Sequence, residues 1–248
     1  LLRNKHSEDK TYHKKALKMT MIVGFLSTIL SMVAGDLSAK FLHKVQPEKL
    51  AAYEWHYDTQ SHANLVFFGV LNEKTHEVTG AIEIPGLLSF LADDSFKTKV
   101  KGLTDFPKND LPPMIVHYFF DLMVSMGVFC FIISGLYMLI LFFKKLRKFK
   151  VNKAMLYAIL LTGPASLLAI EFGWFLTEMG RQPWIIRGYM RVSQAATQAG
   201  GITLVTILFG ILYLVLMVTA AYVLIRMYRN KPAYQDVDKV IEERGGTK

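Results

Sequence analysis

Four long apolar blocks constrain this sequence more than any other feature. They cover residues 16–35, 113–143, 154–175 and 201–226, and most of the charged residues lie between them. A bilayer core of about 30 Å is crossed by about 20 helical residues that rise 1.5 Å each, so every block is long enough to span it. The predicted fold class is therefore all-α, a polytopic membrane helix bundle with four transmembrane helices.

Basic residues between the blocks predict the orientation of the helices. Residues 144–153 form a short, strongly basic loop, and such loops stay in the cytoplasm. Residues 1–15 and 227–248 would then also be cytoplasmic, and both are basic next to the membrane. The net charge of +9 is explained by contact with membrane lipid. No nucleic-acid partner is expected, because the basic residues flank the apolar blocks and form no stripe on a soluble motif.

The orientation leaves residues 36–112 and 176–200 outside the cytoplasm. Residues 36–112, called the outer segment below, are too long for a simple turn, and loops of more than about 15 residues are uncommon unless they have a function. The outer segment contains short apolar pieces and the turn marker Ile84-Pro85-Gly86. We predict a structured extracytoplasmic loop with one or two short helices.

A dense polar cluster, Glu178 to Trp184, follows the third apolar block. Glu171 precedes Glu178 by seven residues, so a helix that continued this far would present both carboxylates on one face. One interpretation is an interfacial belt, with tryptophan at the headgroups and arginine at lipid phosphates. The other is a cofactor pocket or a proton path, and the residues alone leave both open.

Three separated motifs stand out in this sequence. They are Gly173-Trp174-Phe175 with Glu178 and Gly180-Arg181-Gln182-Pro183-Trp184; Gln46-Pro47-Glu48-Lys49-Leu50-Ala51-Ala52-Tyr53-Glu54; and Phe120-Asp121-Leu122-Met123-Val124 with Gly127. Together they resemble subunit I of cytochrome bd-type quinol oxidases. The resemblance covers essentially the whole chain and corresponds to the family subunit from the end of its fifth helix onward.

The resemblance implies haem binding. Met123 matches an axial ligand of the low-spin haem b iron, and a thioether paired with histidine raises the haem potential. Glu178 matches the axial ligand of a high-spin haem b iron, beside a haem d or a further haem b. Glu178 and Arg181 would take part in catalysis. Arg181 would neutralise a propionate or the carboxylate, and Trp174 would pack on a macrocycle.

The resemblance also implies a substrate site for menaquinol or ubiquinol at Lys49 and Glu54. Lys49 would donate a hydrogen bond to a quinone oxygen, and Glu54 would accept a proton that quinol oxidation releases. The two residues are five apart, so they do not share a helical face and must flank a ligand or sit at a helix end. Asp121 needs a compensating group, which we expect to be an arginine or lysine outside this chain.

The histidine ligands are expected in an amino-terminal half of the subunit that this chain lacks. Leu1-Leu2-Arg3 reads as the last turn of a helix that leaves the bilayer, so we expect the chain to be a fragment that is inactive alone. The seven histidines of the chain are expected to be surface groups.

The function implied by the resemblance is that of a terminal oxidase in a bacterial plasma membrane. The complete subunit would oxidise quinol at the outer face and reduce dioxygen to water, generating a membrane potential without proton pumping. Its partners would be subunit II and a small single-span subunit. The alternative is a haem-free transporter or channel subunit, because Gly163-Pro164 breaks a span and Asp121 and Glu171 are ionisable at membrane depth.

Overall fold

The structure is a computed structural model that describes residues 2, 7–143, 151–197 and 199–230. Three sequence predictions fall partly outside these residues: the helix end at Leu1-Leu2-Arg3, the basic loop at 144–150 and the cytoplasmic tail after residue 230. Contacts divide the chain into two units. One unit is Lys18–Ala195, and the other combines Leu1–Leu17 with Ala196–Lys248.

Helices make up most of the described chain. They are α1 (Ser7–Val45), α2 (Pro47–Tyr53), α3 (Leu87–Asp93), α4 (Val116–Phe142), α5 (Lys153–Gly180), α6 (Val192–Ala195) and α7 (Ile202–Asn230). Each of α1, α4, α5 and α7 contains a stretch that is long and apolar enough to cross a membrane. The predicted four-helix membrane fold is confirmed.

Three of the long helices run past the predicted ends of their spans, and one of them is α7, which continues from residue 226 to Asn230. Helix α1 continues from residue 35 to Val45, because neither glycine nor proline interrupts the chain until Pro47. Helix α5 contains Pro164 without ending there and continues to Gly180. The polar cluster after the third apolar block therefore begins inside a helix, and α4 packs along α5.

The outer segment combines short helices with two small antiparallel strand pairs. The strands are β1 (Leu65–Phe67), β2 (Val70–Asn72), β3 (Glu77–Thr79) and β4 (Ile82–Ile84), and β1 pairs with β4 while β2 pairs with β3. Helices α2 and α3 match the predicted one or two short helices. These strand pairs were not predicted. A third antiparallel pair, β5 (Trp184–Ile186) with β6 (Met190–Arg191), follows α5.

Helix α2 lies between two buried apolar clusters. Its Ala51, Ala52 and Tyr53 pack with Val116 of α4 and Leu176 of α5. On the other side, Leu50 packs with residues of α3 and its flanks, namely Ala63, Leu88, Ala92 and Val100. These contacts on both sides bury most of α2, which is seven residues long. The outer segment is thereby attached to the start of α4 and the end of α5, where the motifs meet.

Candidate functional site

A cavity lined by several charged and polar residues lies where α2 meets the end of α5. Its volume is about 320 Å³. Lys49 of α2 lines it together with Glu178 and Arg181 at the end of α5, and Trp184 and Arg187 lie on the segment that follows. Two motifs that are more than 120 residues apart in the chain therefore share one cavity.

Arginines around this cavity are paired with carboxylates. Arg181 donates to Glu178 Oε2 at 2.6 Å. Nε of Arg187 lies 2.5 Å from Glu48 Oε1, and Nη1 donates to the carbonyl of Val45. Arg187 thereby stabilises the start of α2. Each of these guanidinium groups therefore has a carboxylate partner within the protein.

Lys49 differs from these arginines. Its ammonium lies 5.8 Å from the centre of the Tyr53 ring, and among the described residues no carboxylate forms a salt bridge with it. Burial lowers the pKa of the Lys49 ammonium, the positive charge of Arg181 lowers it further, and the carboxylate of Glu178 opposes both. A half-buried, unpaired cation is available to a ligand that offers an oxygen acceptor.

Tyr53 and Gly180 explain why α2 fits against α5 so closely. The Tyr53 hydroxyl donates to the carbonyl of Leu176 at 3.3 Å, and the ring stacks on Phe120. A Cβ at Gly180 would lie 2.6 Å from the Tyr53 hydroxyl oxygen and 3.1 Å from Lys49 Cε. Gly180 is thus required for the packing of the motif that contains Lys49 and Tyr53.

Met123 lies on the face of α4 that turns toward α5. A Cβ at Gly173 would lie 3.1 Å from the Met123 sulfur, so the glycine leaves room for the thioether. Met123 is partly buried beside Tyr53 and its apolar neighbours. A neutral, soft sulfur in apolar surroundings fits the kind of donor that would hold a low-spin haem iron.

The other residues predicted to contact haem lie at the end of α5. Glu178 uses one carboxylate oxygen for Arg181, and its side chain remains 45% exposed, which leaves the second oxygen accessible to a ligand. The donor set therefore fits a carboxylate-ligated iron. Trp174 is 57% exposed and stands outside the cavity lining, on a face of α5 that is open in this chain. Glu171 is exposed on the same helix.

Glu54 lies apart from Lys49. It follows α2 directly, is only 2% exposed and is not part of the cavity lining. Its carboxyl accepts a hydrogen bond from the backbone N–H of Val66. Burial holds the pKa of Glu54 well above its usual range, the negative charge of Asp121 raises it further, and the Val66 hydrogen bond opposes both. The helix end separates the two predicted quinol residues.

Two histidines contradict the expectation that all seven are surface groups. His56 is 7% exposed and His117 is fully buried, because the outer segment folds over the start of α4. His117 stacks under Trp55, with ring centres 3.9 Å apart. The sequence offered one indication that His117 is not a surface group: Asp121 follows it by four residues, so the two side chains share one face of α4.

Asp121 also finds its compensating groups within the chain. Its Oδ2 accepts from the backbone N–H of Phe68 at 2.6 Å and lies 3.1 Å from Nε2 of His117. Oδ1 of Asp121 has no hydrogen-bond partner among the described residues, and the expected arginine or lysine from outside the chain stays a prediction.

Comparisons with known proteins agree on one family. The family model described as cytochrome bd terminal oxidase subunit I matches residues 1–232. A protein of Bacillus subtilis (strain 168), provisionally named cytochrome bd menaquinol oxidase subunit I, is 37% identical over 92% of this chain and 51% of its own length. A second protein of that strain, cytochrome bd ubiquinol oxidase subunit 1, is 29% identical over 87% of this chain and 48% of its own length.

A solved structure gives the same result. The bd oxidase from Geobacillus thermodenitrificans matches 89% of this chain with a TM-score of 0.80 and 44% sequence identity, and 50% of the matched chain is covered. The present chain thus spans about half the length of the relatives that it matches.

Proposed function

The chain belongs to the cytochrome bd terminal oxidase subunit I family, and on that premise we propose that it forms the quinol-oxidising part of a bd-type terminal oxidase. The complete subunit would transfer electrons from a membrane quinol to dioxygen, with menaquinol or ubiquinol as the donor. It would work with subunit II and a small single-span subunit. The four apolar helices and the family make it a bacterial membrane protein, and a haem-free transporter is not favoured.

Lys49 would bind the quinol headgroup in the cavity between α2 and the end of α5. The argument is that its ammonium is the unpaired cation among the described charged groups that line the cavity. A quinol oxygen can accept its hydrogen bond without displacing a carboxylate, whereas the guanidinium groups of Arg181 and Arg187 are already engaged. A volume of about 320 Å³ suits a ring-sized headgroup.

Glu54 would take part in proton removal. Quinol gives up two protons with its two electrons, so a carboxyl group that can change its protonation near neutral pH is useful on the path by which these protons leave. Burial shifts the pKa of Glu54 in that direction. Because Glu54 follows α2 and Lys49 lies within it, headgroup binding and proton removal would occur on opposite sides of the helix end.

Met123 and Glu178 would hold haem irons, as the resemblance implies. Bound haem supplies one-electron transfer between quinol and dioxygen. Met123 would contribute a neutral thioether from α4, and Glu178 a carboxylate whose charge Arg181 partly neutralises. The haem set would be a low-spin b, a high-spin b and a d or further b.

The observation that carries this proposal is the shared cavity of Lys49 and the Glu178–Arg181 pair. The test is quinol-driven oxygen uptake by membranes that contain the full-length subunit and its partner, in a host without other quinol oxidases. We expect uptake that depends on added quinol and falls in Lys49→Met. Membranes that contain the assembled complex and consume no oxygen with either quinol would refute the proposal.

A further inference from the structure

Every described carboxylate that lines the cavity beside Lys49 is bound by an arginine. The three pairs have nitrogen–oxygen distances of 2.5, 2.5 and 2.6 Å. In that order they are Glu48 with Arg187, Asp110 with Arg191, and Glu178 with Arg181. Lys49 remains as the described cation of the lining that no carboxylate pairs with. Whether the ammonium stays free therefore depends on what holds the carboxylates around it.

The carboxylate of Glu48 is the one nearest to Lys49 along the chain, since it directly precedes Lys49 in α2. Its side chain is only 10% exposed. Nε of Arg187 lies 2.5 Å from Oε1 of Glu48, and Nη2 donates to Oε2 at 2.8 Å. One guanidinium thus binds both oxygens, and this two-point geometry fixes the orientation of a carboxylate.

Without Arg187, the carboxylate of Glu48 would be left almost buried and without its cation, which is unfavourable. Arg181 is already bound to Glu178, so Lys49 would be the free cation in the same lining. Successive helical residues are about 100° apart, but the side chains of Glu48 and Lys49 both reach this cavity. An ion pair between them would occupy the ammonium.

We propose that Arg187 is a positioning residue of the quinol site: by binding both oxygens of Glu48, it keeps the ammonium of Lys49 free for a quinol oxygen. This inference rests on the proposed function. Hydrogen bonds from a cation to an ionised acceptor are stronger than those to a neutral one, so a neutral quinol oxygen competes poorly with a carboxylate for Lys49. Arg187 acts through Lys49 and needs no contact with the quinol.

Arg187 also has a structural contact that must be separated from this role. Its Nη1 donates to the carbonyl of Val45, the last residue of α1, at 2.6 Å. Gln46, at the start of α2, provides no side-chain cap of its own. Arg187 could therefore matter only because it holds the start of α2. The two roles predict opposite effects when the carboxylate of Glu48 is removed as well.

The first experiment measures quinol-driven oxygen uptake by the full-length complex with its partner. Arg187→Met should raise KM for quinol about 10-fold, as expected for loss of a hydrogen bond from a charged donor, with haem content and kcat as in the wild type. In a Glu48→Gln background, Arg187→Met should change KM by less than about twofold, because no carboxylate is released to pair with Lys49. A purely structural Arg187 would leave the double variant at least as impaired as Arg187→Met.

The second experiment follows Lys49 without turnover, by mass spectrometry after brief acetylation with acetic anhydride. The reagent attacks the neutral amine, and burial together with the charge of Arg181 lowers the pKa of the Lys49 ammonium, against the charge of Glu178. Pairing with Glu48 would raise that pKa. Acetylation of Lys49 should therefore slow several-fold in Arg187→Met and recover when Glu48→Gln is added. Lys44, paired with Asp93, is the internal control in each sample.

Arg187→Gln takes the place of Arg187→Met if the latter does not assemble, since an amide still donates a hydrogen bond but carries no charge. Unchanged KM and acetylation on loss of Arg187, or a double variant no better than the single one, would overturn the inference. A wild-type complex without quinol-driven oxygen uptake would instead refute the proposed function. The acetylation rates would still decide whether Arg187 keeps Lys49 free.

Discussion

Lys49 is the residue at which substrate recognition can be separated from cofactor binding. Its ammonium has no carboxylate partner in the described cavity. Lys44, which lies five residues earlier at the end of α1, is instead paired with Asp93 at 3.0 Å on the exposed surface. A hydrogen bond from a charged donor contributes about 1.5–3 kcal/mol, so its loss should cost roughly 10-fold or more in quinol kcat/KM.

We therefore expect Lys49→Met to raise KM for quinol while the haem content and the redox spectrum stay as in the wild type. Steady-state oxygen uptake at several quinol concentrations measures this. Lys44→Met is the matched control and should behave as the wild type. An equal loss in both variants would mean that charge on the outer segment, rather than a specific contact, matters.

Glu54 makes the stability of the folded protein depend on pH. Because its pKa is raised on folding, the folded state binds more protons than the unfolded state once the pH exceeds the ordinary value of 4.5. Its contribution is fully present below that value and is lost as the pH rises toward the raised pKa. Glu54→Gln removes this dependence, since glutamine does not ionise.

We expect the Tm of Glu54→Gln, measured relative to the Tm of the wild type, to increase as the pH rises from about 5 to about 8. Thermal unfolding of the purified complex, followed by intrinsic fluorescence, gives both curves. Glu77→Gln, an exposed carboxyl in β3, serves as control. Parallel curves for wild type and Glu54→Gln would show that Glu54 is ionised in the folded protein at all these pH values.

The contact of α2 with α5 depends on a single glycine. A methyl group at Gly180 would meet the hydroxyl oxygen of Tyr53 at 2.6 Å, and the ring is held by Phe120 behind it. Overpacking of this kind costs about 1–3 kcal/mol. Gly180→Ala should therefore lower the Tm and also raise KM for quinol, because Lys49 moves with α2.

Gly163→Ala is the matched variant on the same helix. Nothing lies within 4 Å of a Cβ built at Gly163, and alanine is a better helix former than glycine. Thermal unfolding and quinol titration of both variants compare the two sites. A Tm for Gly180→Ala equal to that for Gly163→Ala would contradict the close packing of α2 against α5.

At the scale of elements, the sequence predicts the apolar parts of helices better than their polar extensions. Residues 36–45 are polar enough to read as loop, yet no breaker stops α1 before Pro47. Lys40 also bridges Asp36 and Asp94 and thereby ties the extension to the end of α3. That tertiary contact is not visible in any local pattern.

The strand pairs of the outer segment were also not predicted, because no local sequence pattern marks them. Phe68 and His76 adopt positive φ values of 57° and 60°, which non-glycine residues rarely take. Strands of three residues are too short to show alternation. Such turns are held by contacts across the chain, for example the bond from the N–H of Phe68 to Asp121.

At the scale of the whole molecule, the spans and family are predictable from sequence, whereas the burial of His117 is not. Four apolar blocks and three motifs each carry their own signal, and both predictions are confirmed. The burial of His117 depends on the outer segment folding onto α4, which joins residues about 60 positions apart. A single sequence offers only the His117–Asp121 spacing as a hint.

The same long-range folding separates Lys49 from Glu54. Their proximity in one motif suggested one ligand between them, but α2 directs Lys49 to the cavity and its end directs Glu54 into buried surroundings near Asp121. Residue roles at the site, including those of Arg181 and Trp174, therefore stay predictions until the complete subunit is tested.

The most direct test of the account is a dithionite-reduced minus air-oxidised visible spectrum of the full-length subunit purified with its partner. Wild type is compared with Met123→Leu and Glu178→Ala, and Met126→Leu on the same helix is the control. We predict haem bands in the wild type and the control, loss of the low-spin b signal in Met123→Leu, and disturbed high-spin signals in Glu178→Ala. A wild-type complex without haem bands, or a Met123→Leu spectrum identical to that of the control, would contradict it.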